Sequence, residues 1–431
     1  MSLFRGAMRV HLDGHKDLTE HKDVISINPS KVAIPLFAGA QMNPEILVQV
    51  GDEVKVGTKL AQFNGNFIVP IYSSVSGTVE AIEDRMHQSL KKIKHVVIAS
   101  DLQYEEANSP TINYETATKE ELVDFMMNSG LIGCGGAGFP TYVKYKFAKD
   151  VDKLIINAVE CEPYITADIK LIETEFDTIL TGIKAMHKMS EAKEVLIAIK
   201  ESHPETIKLV EEAIKDEKDI KVVKVPDVYP MGWERTLVYQ VTKKRYDRLP
   251  SEVGVIVDNS TTCYWFAKAM INGEPIMNRT LTVSGDGVKE PCNVIAPIGS
   301  SVKEVVAACG GYTSEDMIVC MGGPMMGGTI TTDLVSVDRQ NNAITCIEKK
   351  PVEEIACLRC GSCSDNCPSG LQPVRIAQAN KLRDMDRLGK LEVLKCVECG
   401  MCTYVCPSKI AVTENVRRAK RAYNLAQAKK K

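Results

Sequence analysis

The residues with the clearest chemical signature are eight cysteines in two short stretches near the C-terminal end. "CLRCGSCSDNCP" runs from Cys357 to Pro368 and "CVECGMCTYVCP" from Cys396 to Pro407, and both read C-x-x-C-x-x-C-x-x-x-C-P. Thiolates at that pitch suit an iron–sulfur cubane. Three cysteines of a unit reach three corners of one cluster, and the fourth reaches the cluster of the other unit. The expected ligation is therefore crossed. Cys357, Cys360, Cys363 and Cys406 would hold one [4Fe–4S] cluster, and Cys396, Cys399, Cys402 and Cys367 the other. The proline after each fourth cysteine removes an amide donor and turns the chain away. Paired zinc sites are the competing chemistry, but they use C-x-x-C pairs rather than an evenly stepped triplet followed by C-P.

The other seven cysteines (134, 161, 263, 292, 309, 320 and 346) are scattered. Most read as small buried residues, whereas Cys134 and Cys161 lie inside motifs. "GLIGCGGAGFPTYVKY" holds Gly133, Gly135 and Gly138, a literal G-x-G-x-x-G. The dinucleotide fingerprint needs that loop to leave a strand and open a helix. Here a helical pattern precedes it, and no G-K-[ST] marks a P-loop. Spacing alone leaves two readings open, a cofactor loop or a tight structural turn.

The surroundings favour the first. The strand pattern "KLIINAV" runs straight into "ECEPYITAD", which puts Asn157, Glu160 and Glu162 at a C-terminal strand end. Open parallel sheets bind ligands at that edge. "VYPMGWER" adds Tyr229, Gly232 and Glu234, and "VDNSTT" adds Asn259 and Thr261 at another strand end. The seven His lack H-x-x-x-H spacing and Cys partners, and no nucleophile elbow or Ser/His/Asp grouping is visible, so no catalytic acid–base residue is expected.

These residues need elements to position them. With 431 residues, 44% apolar and 25% charged, the chain has material for two to four domains of ordinary soluble composition. A net charge of -3 gives no reason to expect nucleic acid. No apolar run approaches the roughly 18–20 residues of a membrane helix, and no h-region opens the chain. Fifteen cysteines without an export signal point to a reducing cytoplasm.

Residues 1–110 alternate valine with polar residues around Gly51 and Gly57, a β pattern. Its paired G-D-x-V-x-x-G and S-G-T-V segments resemble the barrel-sandwich fold of lipoyl and biotin carriers, although "FNGNFIVPIYSS" holds no carrier Lys. A docking or structural role is expected instead. Residues 111–275 alternate helices with short apolar strands ("KLIINAV", "EVLIAIK", "IKVVKV", "VGVIVDN"), the mark of a parallel sheet covered on both faces. They begin with a T-x-x-E capping box at Thr118 and Glu121. Residues 276–348 read as a small α+β module containing "MGGPMMGG", expected to be a Met-rich core turn. Residues 349–431 hold the cysteine units and a basic tail, expected to be a solvated helix. The fold class is thus a multidomain α/β chain with a C-terminal α-helical cluster domain.

"IGCGGAGFPTYVK", "NAVECEPYITAD", "YPMGWE" and "DNSTT", in that order, resemble the flavin- and NADH-binding subunit of respiratory complex I, and still more the RnfC family of nucleotide-oxidising subunits. The resemblance spans nearly the whole chain and implies four units: barrel-sandwich, FMN/NADH-binding α/β domain, β-grasp domain of the soluble-ligand-binding type, and 2[4Fe–4S] ferredoxin-like domain. It also implies that Gly133, Gly135, Gly136, Ala137 and Gly138 approach the flavin, with Phe139 near the nicotinamide or adenine. Lys144 would neutralise phosphate, Asn157 would hydrogen-bond the isoalloxazine, and Asn259 would be a further cofactor-binding residue. Glu160 and Glu162 would contact flavin or the NADH ribose, and Glu234 the nucleotide. Where the complex I motif has Asp, this chain has Val159. "FRGAMRVHLDGH" and "LFAGAQMNPE" replace the "GGxHP" and "QHIGAP" elements of RnfC chains, and Cys134 stands where they have no cysteine. These departures resemble the proline reductase-associated branch of the family, PrdC.

The implied activity is an NADH:acceptor oxidoreductase passing electrons through FMN and two clusters to a partner reductase. The alternatives are a peripheral RnfC subunit of a membrane ion-pumping complex, or a ferredoxin-like relay with a vestigial flavin site. In each the chain is cytoplasmic or peripheral to the inner membrane face.

Overall fold

The computed structural model describes residues 10–39, 41, 43–136 and 138–429; Ala137 lies outside them. The four apolar segments expected as strands form one parallel sheet in the order Ile220–Val225, Glu194–Lys200, Lys153–Asn157, Val255–Asn259. Both of its faces are covered, which is why the strands read as unbroken apolar runs. Leu154 and Ile156 turn toward the helices Ala167–Ser190 and Ser260–Asn272, while Ile155 turns toward Leu237 and Val238 of the helix Glu234–Thr242. The two long helices meet closely at Gly182, where a Cβ would stand 2.0 Å from the Cys263 carbonyl oxygen.

Chain order moves outward from the Lys153–Asn157 strand and then returns to its other side at Val255–Asn259. Strand order reverses there. Asn157 and Asn259, paired in register, end the two strands that flank the switch point. Upstream, the helix Lys119–Asn128 carries the capping box at Thr118 and Glu121.

The N-terminal sandwich has a four-stranded antiparallel sheet (Lys31–Pro35, Lys92–Ser100, Gly77–Met86, Glu53–Val54) and a three-stranded one (Glu45–Ile46, Lys59–Asn64, Ile68–Tyr72). The hairpin without a carrier Lys docks on the glycine loop. Phe67 meets Phe139 edge-on with ring centroids 5.3 Å apart, and Ile68 N–H donates to the Tyr142 hydroxyl at 3.2 Å.

The third sheet has six strands, in the order Val24–Ser26, Cys292–Pro297, Asn278–Ser284, Ala343–Glu348, Met317–Met321, Gly328–Thr329, with the helix Val302–Ala308 beside it. Val24–Ser26 comes from the segment expected in the sandwich. It pairs parallel with Cys292–Pro297 instead and covers a sheet edge that would otherwise be bare. Buried Arg339 knits three units together, donating to the carbonyls of Phe37, Pro70 and Gly130 at 3.0–3.2 Å.

The cysteine segment folds into short helices around Leu371, Ile376, Leu388, Val393 and Val416. The basic tail is not wholly solvated. It forms the helix Val412–Ala428, which buries Val412 and Val416 and turns Arg417 and Lys420 onto Glu398 at 3.1 and 2.9 Å. Among the described residues no helix is long and apolar enough to cross a membrane.

Candidate functional site

The glycine loop lies over the C-terminal ends of the Asn157 and Asn259 strands. Gly133 N–H donates to the Phe139 carbonyl at 2.9 Å and closes the loop, and Cys134 N–H donates to Thr262 Oγ1 at 3.0 Å. Close approach to Asn259 explains Gly135, whose added Cβ would stand 2.9 Å from Asn259 Nδ2. Gly138 has φ +63°, a left-handed conformation that favours glycine. An added Cβ on Gly136 would meet nothing within 4 Å, so the loop has one face packed on the sheet and one face open. Phe139, 41% exposed, stands beside that open face. A planar cofactor fits such a cradle, because glycine lets backbone amides come close to it. Cys134 is 1% exposed and burial raises its thiol pKa, so it packs rather than reacts.

Beneath the loop the strand-end residues form one network. Asn259 caps the helix Ser260–Asn272 by accepting from Thr261 N–H at 2.9 Å, and its amide donates to Asp168 at 2.7 Å. Asp168 also accepts from the Thr261 hydroxyl at 2.8 Å. Asn157 donates to the Gly232 carbonyl at 2.9 Å and accepts from Val159 N–H at 3.1 Å. Glu160 accepts from Asp168 N–H through Oε1 at 2.9 Å, while its Oε2 has no hydrogen-bond partner and lies 3.9 Å from Lys16 Nζ. That orphaned oxygen borders a polar cleft of about 510 Å³ walled by Lys16, Thr166, Lys170, Ser202 and His203.

Lys16 reaches the cleft because the N-terminal segment straps the "ECEPYITAD" loop. His15 stacks on Tyr164, and the Lys16 ammonium also binds the carbonyls of Glu162 and Ile165. Nothing in the sequence around "DGHKD" signals this contact.

Burial pushes the Glu160 carboxyl up to about 7, against the pull of Lys16, whose own ammonium burial holds below its usual range. A carboxyl raised on folding binds its proton more tightly in the native state. Its contribution is fully present below the unfolded value of 4.5 and fades as pH rises through 7. Denaturant midpoints should therefore fall across that window. Glu160→Gln should flatten the fall, a difference on the order of 3 kcal/mol; parallel profiles for both proteins would refute the assignment.

Other residues singled out from sequence are differently engaged. Lys144 donates to Asp258 at 2.7 Å and to the Val257 carbonyl at 2.6 Å, and the Tyr145 hydroxyl takes the second Asp258 oxygen at 2.6 Å. Its charge neutralises a buried carboxylate rather than facing an open phosphate position. Glu234, at the start of its helix, accepts from the Tyr246 hydroxyl at 2.8 Å. Glu162 turns away from the strand edge toward "MGGPMMGG". It accepts from the N–H groups of Met325 and Met326 at 2.7 and 2.9 Å, and lies 3.3 Å from the Tyr229 hydroxyl. That loop is a junction, not a core turn.

The two cysteine units repeat one backbone design. Left-handed residues recur at matching positions: Arg359 and Glu398, Gly361 and Gly400, Gly370 and Lys409. The third cysteine of each triplet sits in a one-turn helix, Cys363 in Ser362–Asp365 and Cys402 in Met401–Tyr404. Cys367, Cys396, Cys399 and Cys402 wall one small cavity, with apolar Leu371 and Ile376 behind them. Four thiols lining one cavity suit the corners of a cubane.

Of the other set, Cys357 and Cys360 are exposed and Cys363 and Cys406 half-buried. Ile355 N–H to the Ser408 carbonyl (3.2 Å) and Ser408 hydroxyl to the Ala356 carbonyl (3.1 Å) bring the chain before Cys357 beside the chain after Cys406.

The walled cavity is the one that abuts the nucleotide domain. The Tyr229 hydroxyl donates to the Cys399 carbonyl at 2.8 Å, and Leu12, Tyr229, Cys399 and Met401 pack together with Cys161 and Met325. A Cβ on Gly400 would lie 2.6 Å from the Met325 carbonyl oxygen. Tyr229, named in its motif but given no role by the sequence, is the residue that joins the two sites.

Comparison with known proteins covers the same units. Residues 4–103 match the RnfC barrel sandwich hybrid domain, 126–267 the Nuo51 FMN-binding domain, 280–328 the SLBB domain and 350–407 the 4Fe-4S dicluster domain. The chain is 34% identical to a subunit of the proton-translocating ferredoxin:NAD(+) oxidoreductase complex of Clostridium ljungdahlii, over 86% of this chain and 82% of that one. It is 35% identical to the corresponding subunit of the Na(+)-translocating ferredoxin:NAD(+) oxidoreductase complex of Acetobacterium woodii, over 93% of each. Among solved structures, a chain of an NAD+-reducing [NiFe]-hydrogenase in the H2-reduced state superposes with a TM-score of 0.51 at 17% identity, over 72% of this chain and 64% of that one. That likeness concerns the fold alone.

Proposed function

Because the chain belongs to the RnfC family, whose relatives in these two organisms are subunits of ferredoxin:NAD(+) oxidoreductase complexes, we propose that it is a peripheral subunit of such a complex, exchanging electrons between NADH and a partner protein at the membrane face. It is an oxidoreductase component whose cofactors are FMN and two [4Fe–4S] clusters. When bound, these supply hydride acceptance from NADH and single-electron transfer.

The chain's own residues hold and order the cofactors. Gly135 and Gly136 open the loop to close approach, and Asn157 and Asn259 fix the strand edge beneath it. Cys367, Cys396, Cys399 and Cys402 form the inward ligand set, and exposed Cys357 and Cys360 belong to the set that faces outward. The observation that carries the reading is the Tyr229 hydroxyl, which touches both the Cys399 carbonyl and Glu162 of the strand-end loop. The proline reductase partner, by contrast, rests only on the N-terminal departures and Cys134. Both relatives belong to ion-translocating complexes, and the peripheral-subunit reading accounts for them.

Anaerobic reconstitution with iron, sulfide and FMN followed by an NADH titration tests the activity. Bleaching of the flavin band and then of the cluster absorbance is expected, whereas clusters without NADH-bleachable flavin would reduce the protein to a relay. Co-sedimentation with membranes carrying the remaining proteins of the complex tests the assembly, and failure there together with reduction of purified proline reductase would return the reading to the soluble partner. Gly135→Val, which drives a branched side chain into Asn259, should lower flavin content severalfold while leaving iron unchanged. Full flavin occupancy in that variant would remove the loop's role.

A further inference from the structure

Two cysteines that neither site uses stand in contact in the third domain. Cys292 opens the strand Cys292–Pro297, Cys309 caps the helix Val302–Ala308, and their sulfurs lie 3.2 Å apart. The backbones around them are already tied. Glu290 N–H donates to the Cys309 carbonyl at 3.0 Å, and Lys289 N–H to the Gly311 carbonyl at 3.1 Å. The sulfurs thus stand about 1.2 Å beyond the roughly 2.05 Å of a disulfide, on segments already joined by backbone hydrogen bonds.

The pair is chemically asymmetric. The positive charge of Lys22, whose ammonium binds the Pro291 carbonyl at 2.8 Å, favours the thiolate of Cys292. Burial pushes the Cys309 thiol up. Cys292 is 8% exposed and Cys309 1%, so the thiol beside Lys22 is also the more reachable one. Attacking and resolving thiols of exchange-active pairs divide their work in this way. The next residue, Asn293, hydrogen-bonds Thr166 at the rim of the cleft, so the pair sits one residue from the nucleotide domain.

We propose that Cys292 and Cys309 form a reversible dithiol–disulfide couple that exchanges with low-molecular-weight disulfides. The Cys292 thiolate attacks one sulfur of the small disulfide, forming a mixed disulfide and releasing one small thiolate. Cys309 then loses its proton, attacks the Cys292 sulfur and releases the second. Two protein thiols are oxidised, one small disulfide is reduced to two thiols by two electrons, and the protons lost by the cysteines go to the departing thiolates.

The test uses the anaerobically prepared holoprotein in glutathione buffers of increasing oxidised fraction, quenched in acid, alkylated in denaturant and read by peptide mass analysis. A cross-linked peptide joining Cys292 to Cys309 should grow with oxidised glutathione and disappear with dithiothreitol. Cys309→Ser should instead retain glutathione on Cys292, and Cys292→Ser should form neither product. The proposal is overturned if both cysteines are alkylated as free thiols at every ratio, if Cys309 links to Cys346 instead, or if the cross-link forms only after denaturation.

Discussion

Cys367→Ala should delete the same cluster as Cys396→Ala, although Cys367 belongs by sequence to the other unit. Cys367 stands in the wall of the cavity that Cys396, Cys399 and Cys402 line, and Leu371 and Ile376 exclude water behind it. Cys406, in turn, lies next to the segment that carries Cys357. Removing one of four ligands leaves a cubane corner open, so each variant should lose one cluster and about half of the cluster iron. Paramagnetic resonance of the reduced proteins distinguishes the outcomes: Cys367→Ala and Cys396→Ala should keep one and the same signal, and Cys406→Ala and Cys357→Ala the other. NADH should still bleach flavin in all four. Acceptor reduction should vanish in the first pair, because the inward cavity is the one bonded to the nucleotide domain through Tyr229. If Cys367→Ala instead matched Cys357→Ala, ligation would be sequential within each unit and the crossed ligand sets would fail.

What can be read from the sequence follows from how local each constraint is. A cubane's ligands are set by chain pitch over a dozen residues, so the cysteine units declare themselves. The parallel strands declare themselves because burial on both faces leaves no polar alternation, as at Leu154, Ile155 and Ile156. Asn157 and Asn259 follow from those strands, since each merely ends one.

Sequence pattern places Glu162 at the right edge but with the wrong neighbours. Its partners, Met325 and Met326, are distant in sequence, and no local pattern encodes such a contact. Lys144 carries a family role, yet Asp258 lies just before Asn259 in "VDNSTT", and a buried carboxylate needs a cation. Lys16 and the strand Val24–Ser26 escape notice for one shared reason. Their segment has no periodicity of its own and acquires structure by docking, the lysine on carbonyls of the strand-end loop and the strand on the open edge of Cys292–Pro297.

The Glu162 junction gives the second large effect. One carboxylate gathers two donors, the amides of Met325 and Met326 from the third domain, and lies 3.3 Å from the Tyr229 hydroxyl, whose proton goes to the Cys399 carbonyl. Hydrogen bonds to a charged group contribute about 1.5–3 kcal/mol each. Glu162→Ala removes them together and strands two amide donors at a partly buried surface. A tenfold change in an equilibrium costs about 1.4 kcal/mol, so the docked arrangement should weaken by tenfold or more per bond lost. Neither cofactor cradle includes the Glu162 side chain, so flavin and iron contents should hold. Transfer between the two sites should not. In stopped-flow traces, flavin bleaching by NADH should keep its rate while cluster bleaching slows in proportion to the undocked population. Glu162→Gln, which keeps an acceptor oxygen for the Met325 and Met326 amides, should recover most of the rate. A variant that lost flavin instead would place Glu162 in the nucleotide pocket, and one that kept both rates would make the Tyr229 contact on Cys399 sufficient by itself to couple the sites.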